Sequence, residues 1–246
     1  MCAKTGIVGS MLLFEYCNVS NMEKEGRPQA RAETRKLVKE SIGRGDGYKW
    51  NQVLYSRVGR RAESIPWADM VPNPNLISWL SKKGIAGDGK RALVIGCGLG
   101  DDSEELQRRG FAVTAFDIAP AAIEWCKERF PGSSVRYIAA NLFSPPVDWK
   151  EGFDFVLESY TLQTFPANLR SSAIKAIADL VSPRGTLLVI ARGRNAGEPE
   201  GEFPWPLLKD EVKAFQDAGL REISFEEYFD TETPPIRRFR AEYDRS

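Results

Sequence analysis

Short apolar runs alternate with amphipathic stretches from residue 91 to the end of the chain. This alternation is typical of parallel strands joined by crossover helices. The apolar runs predict seven strands, at 92–95, 112–116, 135–139, 153–157, 186–191, 222–228 and 236–243. The amphipathic stretches predict helices at 101–109, 120–130, 168–181 and 207–218. The predicted fold class is therefore α/β, a Rossmann-like, doubly wound and mainly parallel seven-stranded sheet with an antiparallel last strand.

The start of the chain has a different pattern. Residues 1–47 are expected to form an N-terminal extension that is partly disordered or helical, with a helix at 30–42 before three glycines. Since the first 21 residues show no clear period, one hypothesis is that Met22 is the natural start of the protein.

Residues 48–246 are expected to form one domain, with a Rossmann-like core at 91–243. The segment 48–82 that precedes the core predicts two helices, at 48–59 and 76–82, joined by a proline-rich loop that carries Trp67. This segment is expected to act as a lid over the core. The alternative for Trp67 is a core aromatic that caps a loop.

Composition excludes several kinds of chemistry. The chain has no histidine, which rules out imidazole-based triads and His-ligated zinc. Its four cysteines, Cys2, Cys17, Cys97 and Cys126, form no C-x-x-C pair. They are expected to be reduced thiols in a cytoplasmic protein, and no metal site is expected. The 34 basic and 34 acidic side chains cancel, so neither nucleic acid nor a membrane is an expected partner.

A glycine-rich turn, GCGLG at 96–100, follows the first predicted strand and precedes a predicted helix. In a doubly wound sheet this is where a ligand can approach the backbone closely. Asp117 lies 19 residues beyond Gly98, at the end of the second predicted strand, where a carboxylate can bind both hydroxyls of a ribose. The pattern predicts a ligand that contains a nucleoside; the alternative is a tight turn and a helix-capping aspartate.

Local charge decides between nucleoside ligands. The third glycine of a dinucleotide-binding turn is replaced by Asp101, and Asp102, Glu104 and Glu105 follow. Four carboxylates at a helix N-terminus would repel a pyrophosphate. S-adenosylmethionine has no phosphate and carries a sulfonium and an ammonium, so it suits an acidic rim better than NAD or FAD. S-adenosylmethionine is therefore the expected cofactor.

The stretch from the glycine turn to DIAPAAI at 117–123 is similar to class I S-adenosylmethionine-dependent methyltransferases, in particular the thiopurine and tellurite-resistance branch. The resemblance covers residues 91–243 and implies the class I methyltransferase fold. It implies that the turn, with Gly96, Cys97, Gly98 and Gly100, contacts the cofactor and that its glycines border the methionine part. It also implies that Asp117 binds the ribose.

The resemblance further assigns Ile118 to the adenine, together with Asn141 and Leu142 after the third strand, where the family often has Asp. Glu158, after the fourth strand, would lie beside the methionine. A Trp upstream of the glycine turn is characteristic of this branch, although the residues around Trp67 depart from its usual Trp-Asp-x-Gly.

The acceptor side is less defined by sequence. Glu158 and Tyr160 are the candidates for a general base, and the favoured alternative for Glu158 is support of the cofactor's positive charge. After the fifth strand, Arg192 and Trp205 are candidates for a substrate loop with an aromatic, cation-lined wall. The alternative is that the arginines pair with carboxylates and Trp205 packs on the next helix.

The predicted function is transfer of a methyl group from S-adenosylmethionine to a small-molecule acceptor. The sequence leaves open whether the acceptor atom is S, O, N or a halide, and whether the protein is a monomer or a homodimer. Two alternatives remain: a methyltransferase that acts on protein or RNA, for which the basic segment 27–44 leaves room, and a non-catalytic module that binds the cofactor.

Overall fold

The computed structural model describes residues 27–43 and 50–246. Their strands are β1 Arg91–Ile95, β2 Ala112–Asp117, β3 Arg136–Ala139, β4 Phe153–Ser159, β5 Val181–Arg194, β6 Leu207–Leu208, β7 Arg221–Phe229 and β8 Arg237–Asp244. Seven strands pair in the order β3-β2-β1-β4-β5-β8-β7, and the two-residue β6 joins the end of β5. β8 is antiparallel to both neighbours, β5 and β7. The predicted fold class is confirmed, with β6 as an additional short strand.

The described helices are α1 Arg27–Gly43, α2 Trp50–Val58, α3 Pro74–Lys83, α4 Asp101–Arg108, α5 Pro120–Arg129, α6 Ala167–Ala178 and α7 Lys209–Lys213. Two predicted helices were too long. Val181, at the end of the predicted helix 168–181, begins β5. The predicted helix 207–218 is reduced to α7, because Leu207 and Leu208 pair with the end of β5 and residues 214–219 form turns. The Met22 hypothesis and the predicted helix start at residue 48 lie outside the described residues.

The central strands are apolar on both faces because each face has its own core. In β1, Leu93 and Ile95 pack into one cluster with α6 and α7, whereas Ala92 and Val94 pack into the opposite cluster with α3. A parallel sheet covered on both faces requires such continuous apolar strands.

A third cluster of buried side chains joins the N-terminal helices to the loop after β5. Leu37 of α1 and Trp50 of α2 are buried in it together with Phe203, whose ring centroid lies 4.6 Å from that of Trp50. An ion pair of 2.7 Å between Arg35 and Glu202 supports the same contact. Part of the predicted extension 1–47 is therefore packed against the domain. No helix in the described ranges is long and apolar enough to cross a membrane.

Candidate functional site

The glycine turn has a backbone that only glycine adopts easily. Gly96 has a φ of 59° and Gly98 a φ of 54°, both in the left-handed region. A Cβ atom on Gly96 would lie 2.4 Å from Oγ1 of Thr161, and one on Gly98 would lie 3.3 Å from the hydroxyl of Tyr55. The side chains of Thr161 and Tyr55 therefore lie in the space into which a side chain at Gly96 or Gly98 would project.

Asp117 fixes the end of β2 to this turn. One carboxylate oxygen accepts a hydrogen bond from the backbone N–H of Gly98 at 3.1 Å, and the other accepts one from Ala119 at 2.9 Å. Burial raises the pKa of Asp117 to about 6, although its backbone hydrogen bonds act in the opposite direction. The predicted ribose ligand is thus a buried carboxylate beside the turn, as the 19-residue spacing indicated.

A small cleft with a cavity volume of about 40 Å³ opens at the carboxyl ends of β1, β2 and β3. It brings together five of the predicted cofactor residues: Gly96, Asp117, Ile118, Asn141 and Leu142. The sequence argument missed the remaining lining residues, which are Asn51, Ile95, Phe116, Ala140, Thr161, Thr164 and Phe165. No lysine or arginine stands among these described lining residues.

Asn141 is partly committed to its own turn. Its amide oxygen accepts a hydrogen bond from the backbone N–H of Phe143 at 3.0 Å. Leu142 is buried in the first core cluster. The end of β3 is therefore preformed.

The acidic residues that follow the turn carry less unpaired negative charge than the sequence indicated. Asp101 pairs with Arg129 at 2.7 Å, and Glu105 pairs with Arg109 at 2.7 Å. Asp102 accepts a hydrogen bond from the backbone N–H of Asn73, and burial raises its pKa to about 6. The repulsion of a phosphate by this helix is therefore weaker than four free carboxylates would produce.

Glu158 is fully buried at the end of β4. Its Oε1 accepts hydrogen bonds from the backbone N–H groups of Thr161 and Leu162, both at 2.7 Å. Its Oε2 is also buried and has no hydrogen-bond partner among the described residues. Burial raises the pKa of Glu158 to about 7.

Tyr160 points to a different part of the protein. Its hydroxyl accepts a hydrogen bond from Nδ2 of Asn75 at 3.1 Å, and the guanidinium of Arg238 lies 5.1 Å from the centre of its ring. Burial raises the pKa of Tyr160 to about 12. Neither Tyr160 nor Glu158 is a lining residue of the cleft, and they lie on separate hydrogen-bond networks.

Trp67 lies over the glycine turn. Its indole Nε1 donates a hydrogen bond to the hydroxyl of Tyr55 at 3.1 Å and would lie 3.9 Å from a Cβ atom on Gly98. The helix α2 makes further contacts there: Gln52 donates to the backbone carbonyl of Ile118 at 3.0 Å. Sequence reasoning missed Asn51, Gln52 and Tyr55, although the i, i+4 spacing of 51 and 55 places both on one helical face.

The predicted substrate loop is attached to the core through Gln163. The backbone N–H of Arg192 donates to Oε1 of Gln163 at 2.9 Å, and the backbone N–H of Trp205 donates to its carbonyl at 3.0 Å. The guanidinium carbon of Arg170 lies 5.9 Å from the centre of the Trp205 ring. The structure thus brings Arg192 and Trp205 to one residue that the sequence argument did not select.

No group of three or more His, Cys, Asp or Glu side chains within 27–43 and 50–246 is arranged to hold a metal ion.

Comparison with known proteins finds a family model that matches part of the chain. Residues 92–185 match a family model described as a methyltransferase domain. The ubiquinone biosynthesis O-methyltransferase of Pseudomonas savastanoi pv. phaseolicola is 29% identical over 158 residues, which are 63% of this chain and 66% of that protein. The matched region thus spans just under two thirds of that relative.

Solved structures show the same fold. The N-methyltransferase NodS of Bradyrhizobium japonicum, solved with S-adenosyl-L-homocysteine, superposes with a TM-score of 0.59 at 18% identity over 73% of this chain and 91% of its own. TehB of Haemophilus influenzae superposes with a TM-score of 0.58 at 15% identity over 71% of this chain and 62% of its own. At these identities the likeness shows the fold alone.

Proposed function

We propose that this chain, which has the class I S-adenosylmethionine-dependent methyltransferase fold and a methyltransferase domain, transfers the methyl group of this cofactor to a small-molecule acceptor. The observation that carries the proposal is the cleft at the carboxyl ends of β1, β2 and β3. It contains a left-handed glycine turn and a buried aspartate at the end of the next strand. Ligands of doubly wound sheets bind at this edge.

The residues of the cleft fit the cofactor. Each oxygen of Asp117 holds one backbone N–H and keeps a lone pair that can accept a ribose hydroxyl. The absence of lysine and arginine among the described lining residues suits a ligand with positive charge and no phosphate. When bound, the cofactor supplies an electrophilic methyl group on its sulfonium.

Glu158 is proposed to support the positive charge of the cofactor. Its Oε1 holds the turn after β4, so a reorientation of the carboxylate would break two backbone hydrogen bonds. Its Oε2 is buried without a described partner, a state that a nearby cation would relieve. A pKa of about 7 also suits a general base, and this alternative is tested below by Glu158→Gln.

Tyr160 is not proposed as the base. Its hydroxyl is bound to Asn75, and burial holds its pKa far above neutral pH. The chain's contribution to transfer is then mainly to align the acceptor with the methyl group and to exclude water, which can supply much of the acceleration of a displacement.

A roof over the cleft is proposed to favour a small acceptor. The helix α2, the Trp67 loop and the segment 195–206 meet in one aromatic cluster, in which Trp50 contacts both Trp67 and Phe203. Such a roof encloses a small molecule more readily than a polymer. The relatives are an O-methyltransferase and an N-methyltransferase, so they do not define the acceptor atom.

The experiment is transfer of labelled methyl from S-adenosylmethionine to a panel of thiols, halides, phenols, amines and carboxylates, set beside peptides and RNA. We expect turnover with at least one small-molecule class, and much less turnover with Asp117→Ala at the same cofactor concentration. Labelling of peptide or RNA alone would contradict the small-acceptor proposal. Cofactor binding without transfer to any class would favour a non-catalytic module.

A further inference from the structure

The turn after β4 is held rigidly on the cofactor side. Glu158 accepts the backbone N–H groups of Thr161 and Leu162, and the hydroxyl of Thr161 donates to the carbonyl of Ile95 at 3.0 Å. Thr161, Thr164 and Phe165 line the cleft. A ligand that fills the cleft therefore contacts this turn directly.

Gln163 belongs to the same turn but faces the loop after β5. It is 1% exposed, its side-chain oxygen accepts the backbone N–H of Arg192, and its carbonyl accepts that of Trp205. These two amides flank the segment 193–204. One buried residue thus holds both ends of the loop that the sequence assigns to the acceptor side.

A second contact supports the same connection. Nε of Arg170 donates to the carbonyl of Phe165 at 3.0 Å, while its guanidinium carbon lies 5.9 Å from the centre of the Trp205 ring. The cleft-lining turn and Trp205 therefore share two independent contacts. A buried hydrogen bond leaves an unsatisfied polar group when it breaks, so a turn that is held in place favours an ordered conformation of the segment bonded to it.

We propose that Gln163 is a positioning residue for methyl transfer: it couples occupancy of the cofactor cleft to the order of residues 192–206, so that the acceptor side forms when the cofactor is bound. This rests on the proposed function, because it takes the cofactor and its demethylated product as the ligands of the cleft. The coupling requires an acceptor atom at the side-chain end of Gln163, which Glu retains and Leu lacks.

The test is hydrogen exchange of the full chain with and without saturating S-adenosylhomocysteine, after calorimetry has measured its binding. In the wild type we expect peptides within 192–206 to gain protection on binding. Gln163→Leu should still bind S-adenosylhomocysteine within a few-fold of the wild type, but its 192–206 amides should exchange roughly five- to tenfold faster in the bound state, the range for one lost hydrogen bond. Gln163→Glu should restore the protection. Gln216→Leu makes the same change at an exposed position and serves as control.

Each outcome has a distinct meaning. If the wild type does not bind S-adenosylhomocysteine, the proposed function fails. If it binds but residues 192–206 show no change, the inference alone is overturned, whatever the variants do. If Gln163→Leu keeps the full loop response, Gln163 is not the positioning residue and the inference is overturned.

Discussion

Replacing Glu158 by glutamine distinguishes the free-energy cost of its buried charge from the stability that its hydrogen bonds contribute. The glutamine oxygen can take the place of Oε1 and keep the bonds from Thr161 and Leu162. The amide nitrogen takes the place of Oε2, which has no described partner. The variant therefore removes a buried charge with little other change.

The magnitude follows from the pKa. Burial raises the pKa of Glu158 from its ordinary 4.5 to about 7, so the fold favours the protonated acid. The stability that this preference supplies is present below pH 4.5, is lost as the pH rises through about 7, and stays lost above it. At about 1.4 kcal/mol for each pKa unit, the ionised carboxylate costs about 3 kcal/mol at pH 8.

The assay is urea unfolding of the ligand-free protein at pH 5 and pH 8. We expect Glu158→Gln to raise the free energy of unfolding by about 2–3 kcal/mol at pH 8 and by less than about 1 kcal/mol at pH 5. Glu158→Ala, which loses both hydrogen bonds, should be less stable than Glu158→Gln at each pH. A Glu158→Gln protein that is destabilised at pH 8, or whose change is the same at both pH values, would refute the reasoning. Loss of turnover with retained cofactor binding in this variant would identify Glu158 as the base.

Three further predictions concern the cleft. Asp117→Ala should weaken the binding of S-adenosylhomocysteine by about 1–3 kcal/mol, the range for stranded hydrogen-bond partners; unchanged affinity in calorimetry would mean that Asp117 does not bind the ribose. Gly96→Ala should weaken the binding of S-adenosylhomocysteine at least about tenfold, because its Cβ atom would displace Thr161. The control Gly197→Ala is also at a left-handed position but has no atom within 4 Å of its Cβ, so it should bind normally. Equal binding by both variants would refute the steric argument. Trp67→Ala should reduce turnover more than it reduces the melting temperature, and amides 60–75 should gain protection when the cofactor is added; a large fall in melting temperature with near-normal turnover would assign Trp67 to the core.

The sequence predicted the parts of the molecule that depend on local signals. Apolar runs of strand length located β1 to β5, β7 and β8, and the spacing from Gly98 to Asp117 predicted a contact that the structure shows as a hydrogen bond of 3.1 Å. The start of α3 also carries local signals, since Asn73 caps it and Pro74 begins it, but the predicted helix 76–82 began two residues too late.

The residues that the sequence did not predict are placed by tertiary contacts. Asn51 reaches the cleft and Tyr55 reaches Gly98 because α2 packs across α5, and no local motif records that packing. Gln163 has an ordinary sequence context, and its role depends on the return of the chain to it at Arg192 and Trp205. The acidic residues of α4 suggested more free charge than exists, because Asp101 pairs with Arg129 of α5 and Glu105 pairs with Arg109, which follows α4.

The central claim is that the cleft binds S-adenosylmethionine, and calorimetry tests it most directly. The protein should bind S-adenosylmethionine or S-adenosylhomocysteine at one site per chain with a dissociation constant in the micromolar range. NAD and NADP should give no measurable heat under the same conditions. Preferential binding of NAD or NADP, or no binding of either S-adenosyl compound by protein that is folded, would contradict the account.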